Sequence, residues 1–109
     1  MTYDPWRIET YAFQAEGGLI KIGRCHPGRE RQRLDAARKA VEEPVRFLGF
    51  LPDDEWTLHQ RFAALRLWGE WFQPESELWS YLSKHLRRGY RQQRNRGRHP
   101  IIEVGDWSE

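Results

Sequence analysis

The stretch TYAFQAEGGLIKIGR, residues 10–24, decides the fold because it contains two apolar-rich runs around a pair of glycines. The runs are YAFQA and LIKIG, and Glu16-Gly17-Gly18 separates them. Short apolar runs on either side of a Gly-containing turn are typical of a β-hairpin. We therefore expect Tyr11 on the first strand and Lys21 on the second to be partners across the hairpin, with their side chains on the same face.

The next two segments predict a helix and a third strand. RERQRLDAARKAV, residues 29–41, repeats apolar residues at helical spacing at Leu34, Ala37 and Val41. PVRFLGFLP, residues 44–52, has a proline at each end, which favours a strand. In this strand Val45, Phe47 and Gly49 would face one side, and Arg46, Leu48 and Phe50 the other.

Two more helices are predicted before residue 87. Asp53 or Asp54 can cap the first of them. Its apolar face is formed by Leu58, Phe62 and Leu65. LWGEWF, residues 67–72, interrupts this pattern, and Pro74 with Ser76 then opens the last helix. The buried stripe of that helix consists of Leu78, Leu82 and Leu86.

The order β-β-α-β-α-α predicts an α+β fold, in which helices flank a small three-stranded antiparallel sheet. We expect one domain over residues 1–86 and a basic C-terminal extension over residues 87–109. IIEV, residues 101–104, has the composition of a further edge strand.

The composition is that of a soluble globular protein. Of the 109 residues, 39% are hydrophobic and 14% are aromatic, including six Trp, so one domain can bury a core. No apolar run approaches the length of a transmembrane helix, and the first residues lack the features of a secretion signal, so we expect a cytoplasmic protein without a membrane partner. Cys25 is the only cysteine, which excludes an intrachain disulfide and a Cys-rich zinc site. We do not expect it to act as a nucleophile.

Positive charge is concentrated in one segment. Residues 84–98 hold seven Lys or Arg and no Asp or Glu, whereas the rest of the chain has 11 basic against 16 acidic residues. This distribution is typical of a chain that binds a polyanion, most often nucleic acid; the alternative is a solubilising tail. The residues that we expect to contact a DNA backbone are Arg24, Arg29, Arg87, Arg88, Arg91, Arg94, Arg96 and Arg98.

Four blocks of the sequence, taken in order, resemble the GIY-YIG nuclease superfamily. They are TYAFQAEGGLIKIGR, the Arg-rich helix after it, EPVRFLGFLPDDEWTLHQRF and LWGEWF. The pattern is most similar to a branch common in phage and bacterial genomes, whose second motif reads Lys-Ile-Gly instead of Tyr-Ile-Gly. The resemblance covers residues 8–86 and implies hydrolysis of DNA phosphodiester bonds.

The resemblance implies that two hairpin residues manage the attacking water. Tyr11 matches the tyrosine of the first motif, and Lys21 stands ten residues later, where the tyrosine of the second motif usually falls. In this branch the lysine is a candidate general base, and that role requires a neutral amine. The phosphate-binding arginine of the family best matches Arg33, but a longer loop leaves Arg31 or Arg29 as alternatives.

The metal-binding glutamate of the family matches Glu70. The resemblance therefore implies Mg²⁺ or Mn²⁺ at Glu70, with several water ligands because one protein carboxylate is available. His59 matches a histidine often present in this branch, and we expect it to hydrogen-bond the phosphate or the leaving oxygen.

These residues also have purely structural explanations. Tyr11 can be an ordinary strand tyrosine whose hydroxyl finds a backbone partner. The arginines can form a solvated helix face that pairs with Glu30 and Asp35. Glu70 can pair with Arg66 or cap the following turn.

Three functions are open at this point. The first is a metal-dependent DNA endonuclease of low sequence specificity, acting alone, as a homodimer or as a subunit of a larger assembly. The second is a nucleic-acid-binding regulator or phage accessory module that keeps the fold but cleaves poorly. The third is a protein-interaction domain that presents its tryptophans to a partner.

Overall fold

The hairpin predicted from residues 10–24 lies at the centre of the sheet. In the computed structural model, which describes residues 7–87, β1 (Glu9–Ala15) and β2 (Ile20–Cys25) pair in antiparallel orientation. In the turn the Gly18 N–H donates to the Ala15 carbonyl at 2.8 Å. Gly18 has φ +112°, which glycine adopts without steric penalty, so the turn has a conformational reason for glycine at this position.

The helices and the third strand follow in the predicted order. They are α1 (Glu30–Val41), β3 (Val45–Leu51), α2 (Glu55–Arg61), a 3₁₀ turn (Ala63–Leu65) and α3 (Ser76–His85). Asp54 caps α2, because its carboxylate accepts a hydrogen bond from the Thr57 N–H at 2.8 Å. Asp53 instead accepts from the Tyr81 hydroxyl at 2.7 Å, which fastens the loop before α2 to α3. Each helix of the described chain falls short of what crossing a bilayer requires.

The α+β class is confirmed, but the sheet has five strands instead of the three predicted. Part of LWGEWF forms a second hairpin, in which β4 (Arg66–Trp68) pairs with β5 (Trp71–Phe72). Gly69, at φ +54°, permits the tight turn between them. β5 also pairs with β2, so the strand order is β3-β1-β2-β5-β4. Strands of two or three residues are too short to show an alternating pattern in sequence.

Helices cover both faces of the sheet, which explains why every residue of β1 is buried. One face packs Tyr11 and Phe13 against Leu34 of α1. The other packs Ala12 and Ile22 against side chains of α2 and α3. Because side chains alternate along a strand, neighbouring residues of the central hairpin contribute to different cores.

Arg87, the last described residue, lies against the sheet. Its N–H donates to the Phe50 carbonyl at 2.8 Å, and its guanidinium lies 3.2 Å from Glu9 Oε1. Gly49 permits this approach, since a Cβ there would lie 2.7 Å from the Arg87 carbonyl oxygen. The rest of the predicted basic extension falls outside the described residues, including Arg88, Arg91, Arg94, Arg96, Arg98 and the IIEV segment.

Candidate functional site

Three predicted site residues meet around Gly23 of β2. The register corrects one detail of the prediction: Tyr11 is opposite Gly23, and Lys21 is opposite Phe13, so Tyr11 and Lys21 are diagonal neighbours instead of direct partners. They still share a face, with the Lys21 Nζ 5.6 Å from the centre of the Tyr11 ring. Lys21 donates a hydrogen bond to Glu70 Oε1. The turn between β4 and β5 therefore brings Glu70 to the central hairpin.

Gly23 leaves the space in which the phenol and the carboxylate meet. A Cβ on Gly23 would lie 2.4 Å from the Tyr11 hydroxyl oxygen and 2.7 Å from Glu70 Oε1. Both distances are shorter than any comfortable non-bonded contact, so a larger residue would displace one group or both. The glycine of Lys-Ile-Gly thus has a steric role in this chain.

Tyr11 is buried beneath the site. Burial, followed by the negative charge of Glu70, raises the pKa of Tyr11 far above its ordinary value, although the charge of Arg33 opposes this. The phenol is consequently protonated at neutral pH. In this state Tyr11 can donate a hydrogen bond but cannot accept a proton from water as a general base.

Lys21 and Glu70 form an ion pair. An ammonium group has three donors and no lone pair with which to accept a proton. In this arrangement Lys21 fixes the position of the Glu70 carboxylate and offsets its charge. The general-base role implied by the resemblance requires the pair to separate first.

Glu55, the first residue of α2, belongs to the site but was not predicted. Its carboxylate is close enough to that of Glu70 for the two groups to influence each other's pKa. One carboxylate oxygen lies 3.4 Å from Arg24 Nε, and the other lies 3.7 Å from His59 Nε2. The sequence contains one signal, since Glu55 and His59 are four residues apart on a helix. An acidic residue in a first helical turn is common, however, and only the tertiary fold places it beside Glu70.

Glu55 and Glu70, which we call the carboxylate pair, have different affinities for protons. Burial, together with the hydrogen bond to Glu70 and the charge of Glu70, raises the pKa of Glu55 to about 7. Burial acts in the same direction on Glu70, but the hydrogen bonds from Glu55 and Lys21 outweigh it and lower the pKa of Glu70. Below about pH 7 the carboxylate pair therefore shares one proton, and Glu55 has the higher affinity for it.

His59 is held by the backbone of β2. Its Nε2 lies 2.8 Å from the Ile22 carbonyl oxygen, and because a carbonyl only accepts, this nitrogen carries the proton. The ring packs edge-on against Phe72, with centroids 5.0 Å apart. The contact predicted between His59 and a phosphate or leaving oxygen would have to come from Nδ1.

The three candidate arginines occupy different environments. Of the three, only the charge of Arg33 acts on Tyr11. Arg33 is exposed on α1. Arg31 Nε lies 3.7 Å from Asp35 Oδ1, as the solvated-face alternative predicts, and Arg29 hydrogen-bonds a side chain three residues along the chain. Arg33 is therefore the candidate arginine whose charge acts on the site.

A cleft of about 580 Å³ opens beside Glu70. Its lining includes Arg24, Glu55, Trp56, His59 and Glu70. The volume is within the range of about 300–1,000 Å³ that is typical of ligand sites. Glu70 thus contacts Lys21 and also lines a cleft that a ligand can enter.

The donor set suits a divalent ion held by few protein ligands. Glu70 is anionic, Glu55 is its hydrogen-bond partner, and the cleft has room for waters. Within residues 7–87, no three His, Cys, Asp or Glu side chains are grouped so as to hold a metal. Mg²⁺ commonly binds one or two carboxylates and keeps several waters, so Mg²⁺ or Mn²⁺ fits better than an ion that requires a complete protein cage.

Comparisons with protein-family models, curated proteins and solved structures give no match. What the site can do follows from its chemistry. Lys21 and Arg33 can offset the charge of a phosphate, and Glu70 can hold a divalent ion. The proton on Glu55 is available for transfer near neutral pH.

Proposed function

We propose that this chain is a metal-dependent endonuclease that hydrolyses phosphodiester bonds in DNA. The observation that carries the proposal is the position of Glu70, which contacts Lys21 and Glu55, lies beside the Tyr11 hydroxyl and lines an open cleft. Phosphodiester hydrolysis needs a site for a metal, cations for the phosphate, an oriented water and a proton for the leaving oxygen. The residues around Glu70 can meet each of these needs.

Each residue has a role in this proposal. Mg²⁺ or Mn²⁺ at Glu70 would polarise a phosphate oxygen and acidify a bound water. The protonated Tyr11 orients the attacking water by hydrogen bonding, and Lys21 and Arg33 offset the charge of the phosphate. Glu55 is the candidate donor of a proton to the leaving oxygen, and the proton that the attacking water loses passes to solvent in the open cleft.

Membership of the GIY-YIG superfamily is part of this proposal. It is supported by the four sequence blocks in order and by the proximity of Tyr11, Lys21 and Glu70 in an antiparallel α+β domain. A basic extension would bind the DNA backbone without reading its sequence, so we expect low sequence specificity. Pairing of two copies, or assembly into a larger complex, would add selectivity.

A second candidate is a DNA-binding module that cleaves poorly. The specific observation in its favour is the ion pair between Lys21 and Glu70. Because the two groups are paired with each other, neither is available to a phosphate or a metal. In this alternative the pair stabilises the fold and does not exchange partners during a reaction.

Nicking of supercoiled plasmid distinguishes the two candidates. The protein is incubated with Mg²⁺, Mn²⁺ or chelator, and Glu70→Gln is compared with Glu77→Gln, an exposed glutamate of α3. We expect nicking that requires metal, falls by at least about 100-fold in Glu70→Gln and is unchanged in Glu77→Gln. DNA binding without nicking in any metal would support the second candidate, and nicking that survives in Glu70→Gln would contradict the proposed site.

A further inference from the structure

Trp56, the second residue of α2, is the most exposed large apolar side chain in the described part of the chain. It is 70% exposed, whereas tryptophan is usually well buried because of its large apolar surface. Packing within the domain therefore does not explain why an indole is at this position. Trp56 follows Glu55 and lines the same cleft as Glu70.

The cleft beside Trp56 combines an apolar surface with cations. Ile8 also lines it and is 52% exposed, so two large apolar side chains face solvent at one opening. Arg24 and Arg66 line the same cleft, and both are exposed. Trp68 and Leu67 are exposed as well, but neither lines the cleft. Exposed aromatic and cationic groups at one opening are typical of surfaces that bind single-stranded nucleic acid.

The charges of the cleft limit what can bind there. Its two guanidinium groups are accompanied by Asp54, Glu55 and Glu70, so the lining does not attract anions in general. Asp54 caps α2, and Arg24 pairs with Glu55. A ligand that fits must bring a flat uncharged ring to the indole and an anionic group that an ion at Glu70 can offset. A nucleotide with an unpaired base has both parts.

We propose that Trp56 stacks on an unpaired DNA base, so that the substrate is DNA with unpaired nucleotides at the cleaved bond instead of intact duplex. This inference rests on the proposed function and specifies its substrate. In a duplex the faces of the bases are covered by their neighbours, and an indole on a protein surface cannot reach them. A base that lies on Trp56 places its phosphate in the cleft that Glu70 lines.

Binding measurements test this inference separately from cleavage. A fluorescently labelled single strand and a duplex of the same sequence are titrated in chelator and again in Ca²⁺, which can occupy a carboxylate site, with wild type, Trp56→Ala, Trp56→Phe and Trp68→Ala. Trp68 is 52% exposed and lies outside the cleft, which makes it a matched control. Thermal unfolding of each variant verifies that it is folded.

We expect wild type to bind the single strand more tightly than the duplex. Trp56→Ala should weaken single-strand binding by about five- to 100-fold and duplex binding by less than about twofold. Trp56→Phe should retain most of the affinity because it keeps an aromatic face, and Trp68→Ala should bind as wild type. Equal binding of the single strand by Trp56→Ala and wild type would overturn the inference and leave a protein partner as the explanation for the exposed indole.

The inference and the proposed function can fail separately. Metal-dependent nicking together with unchanged single-strand binding by Trp56→Ala would keep the nuclease and remove the stacking role. Single-strand binding that depends on Trp56, without cleavage of any DNA in Mg²⁺ or Mn²⁺, would keep the stacking role and remove the nuclease.

Discussion

The two halves of the candidate site are held in different ways. The buried half (Tyr11, Lys21 and Gly23) belongs to the central hairpin, where Tyr11 packs in the core that contains Leu34 of α1 and the Lys21 side chain is 16% exposed. The exposed half (Arg24 and Trp56) lies at the cleft opening, where most of both side chains is in solvent. The carboxylate pair lies between them.

This difference implies that the buried half positions the reacting groups, whereas the exposed half contributes to the affinity for substrate. In the buried half, each atom is fixed by strand pairing and close packing, so small changes in volume displace reacting groups. In the exposed half, a side chain can be removed with little loss of folding free energy, because it makes few contacts within the domain. We therefore expect buried substitutions to affect catalysis and stability together, and exposed ones to affect binding alone.

The largest effect is expected from Gly23→Ala. The new methyl group would displace the Tyr11 hydroxyl and Glu70, and a misplacement of about 1 Å costs about 100-fold in rate, so displacing one or both predicts a loss of about 10²- to 10⁴-fold in plasmid nicking. Overpacking at a buried position should also lower the free energy of unfolding by about 1–3 kcal/mol. Denaturant unfolding and plasmid nicking measure the two effects.

Gly17→Ala is the matched control for this substitution. A Cβ on Gly17 would meet the flexible end of Glu43 at 3.1 Å, in the exposed turn between β1 and β2. We expect Gly17→Ala to change stability by less than about 1 kcal/mol and to nick normally. If Gly23→Ala behaved like Gly17→Ala, close packing around Gly23 would not be what positions Tyr11 and Glu70.

Arg33 is a test of the comparison, because it is exposed and yet acts on the buried half. Arg33→Ala should reduce nicking by about 10²–10³-fold, as expected when one donor to a reacting phosphate is removed. Arg31 lies on the same helix and already pairs with Asp35, so Arg31→Ala should reduce nicking only a few-fold. Both variants should unfold within about 0.5 kcal/mol of wild type. A larger loss in Arg31→Ala than in Arg33→Ala would show that Arg31, and not Arg33, binds the phosphate.

Sequence alone predicted most of the fold. The central hairpin, α1, β3, α2 and α3 were predicted in the observed order, because apolar spacing, glycine turns and a capping residue are local signals. The β4–β5 hairpin was missed, since its strands are too short to show periodicity and its pairing with β2 is a tertiary contact. The sequence still contained Gly69, whose positive φ makes the turn.

The sequence identified individual residues of the candidate site but not the contacts between them. The resemblance named Tyr11, Lys21 and Glu70, which the structure brings together. It did not name Glu55, because a first-turn glutamate has an ordinary helix-dipole explanation. Neither could sequence show that Lys21 pairs with Glu70, a contact between residues 49 positions apart.

The smallest expected effect is on the alkylation of Cys25. The rate of this reaction reports how readily the buried half opens to solvent. Its thiol is buried in the same core as Tyr11, and burial, followed by the charge of Glu30, raises the pKa of Cys25 to about 11 from an ordinary value of 9.0. Only the thiolate reacts with an alkylating agent, so raising the pKa lowers the reactive fraction at pH 8. Two pKa units alone predict about 100-fold slower alkylation than in the unfolded chain.

The measurement has a clear readout, because the chain contains a single cysteine. Alkylation of the native protein should accelerate about tenfold per pH unit from pH 8 toward pH 11, whereas the unfolded chain should level off near its ordinary pKa. Gly23→Ala should accelerate native alkylation if it loosens β2, and Trp56→Ala should leave it unchanged, since Trp56 lies in the exposed half. Equal acceleration by both variants would mean that the halves open together, and the separation of positioning from affinity would not hold.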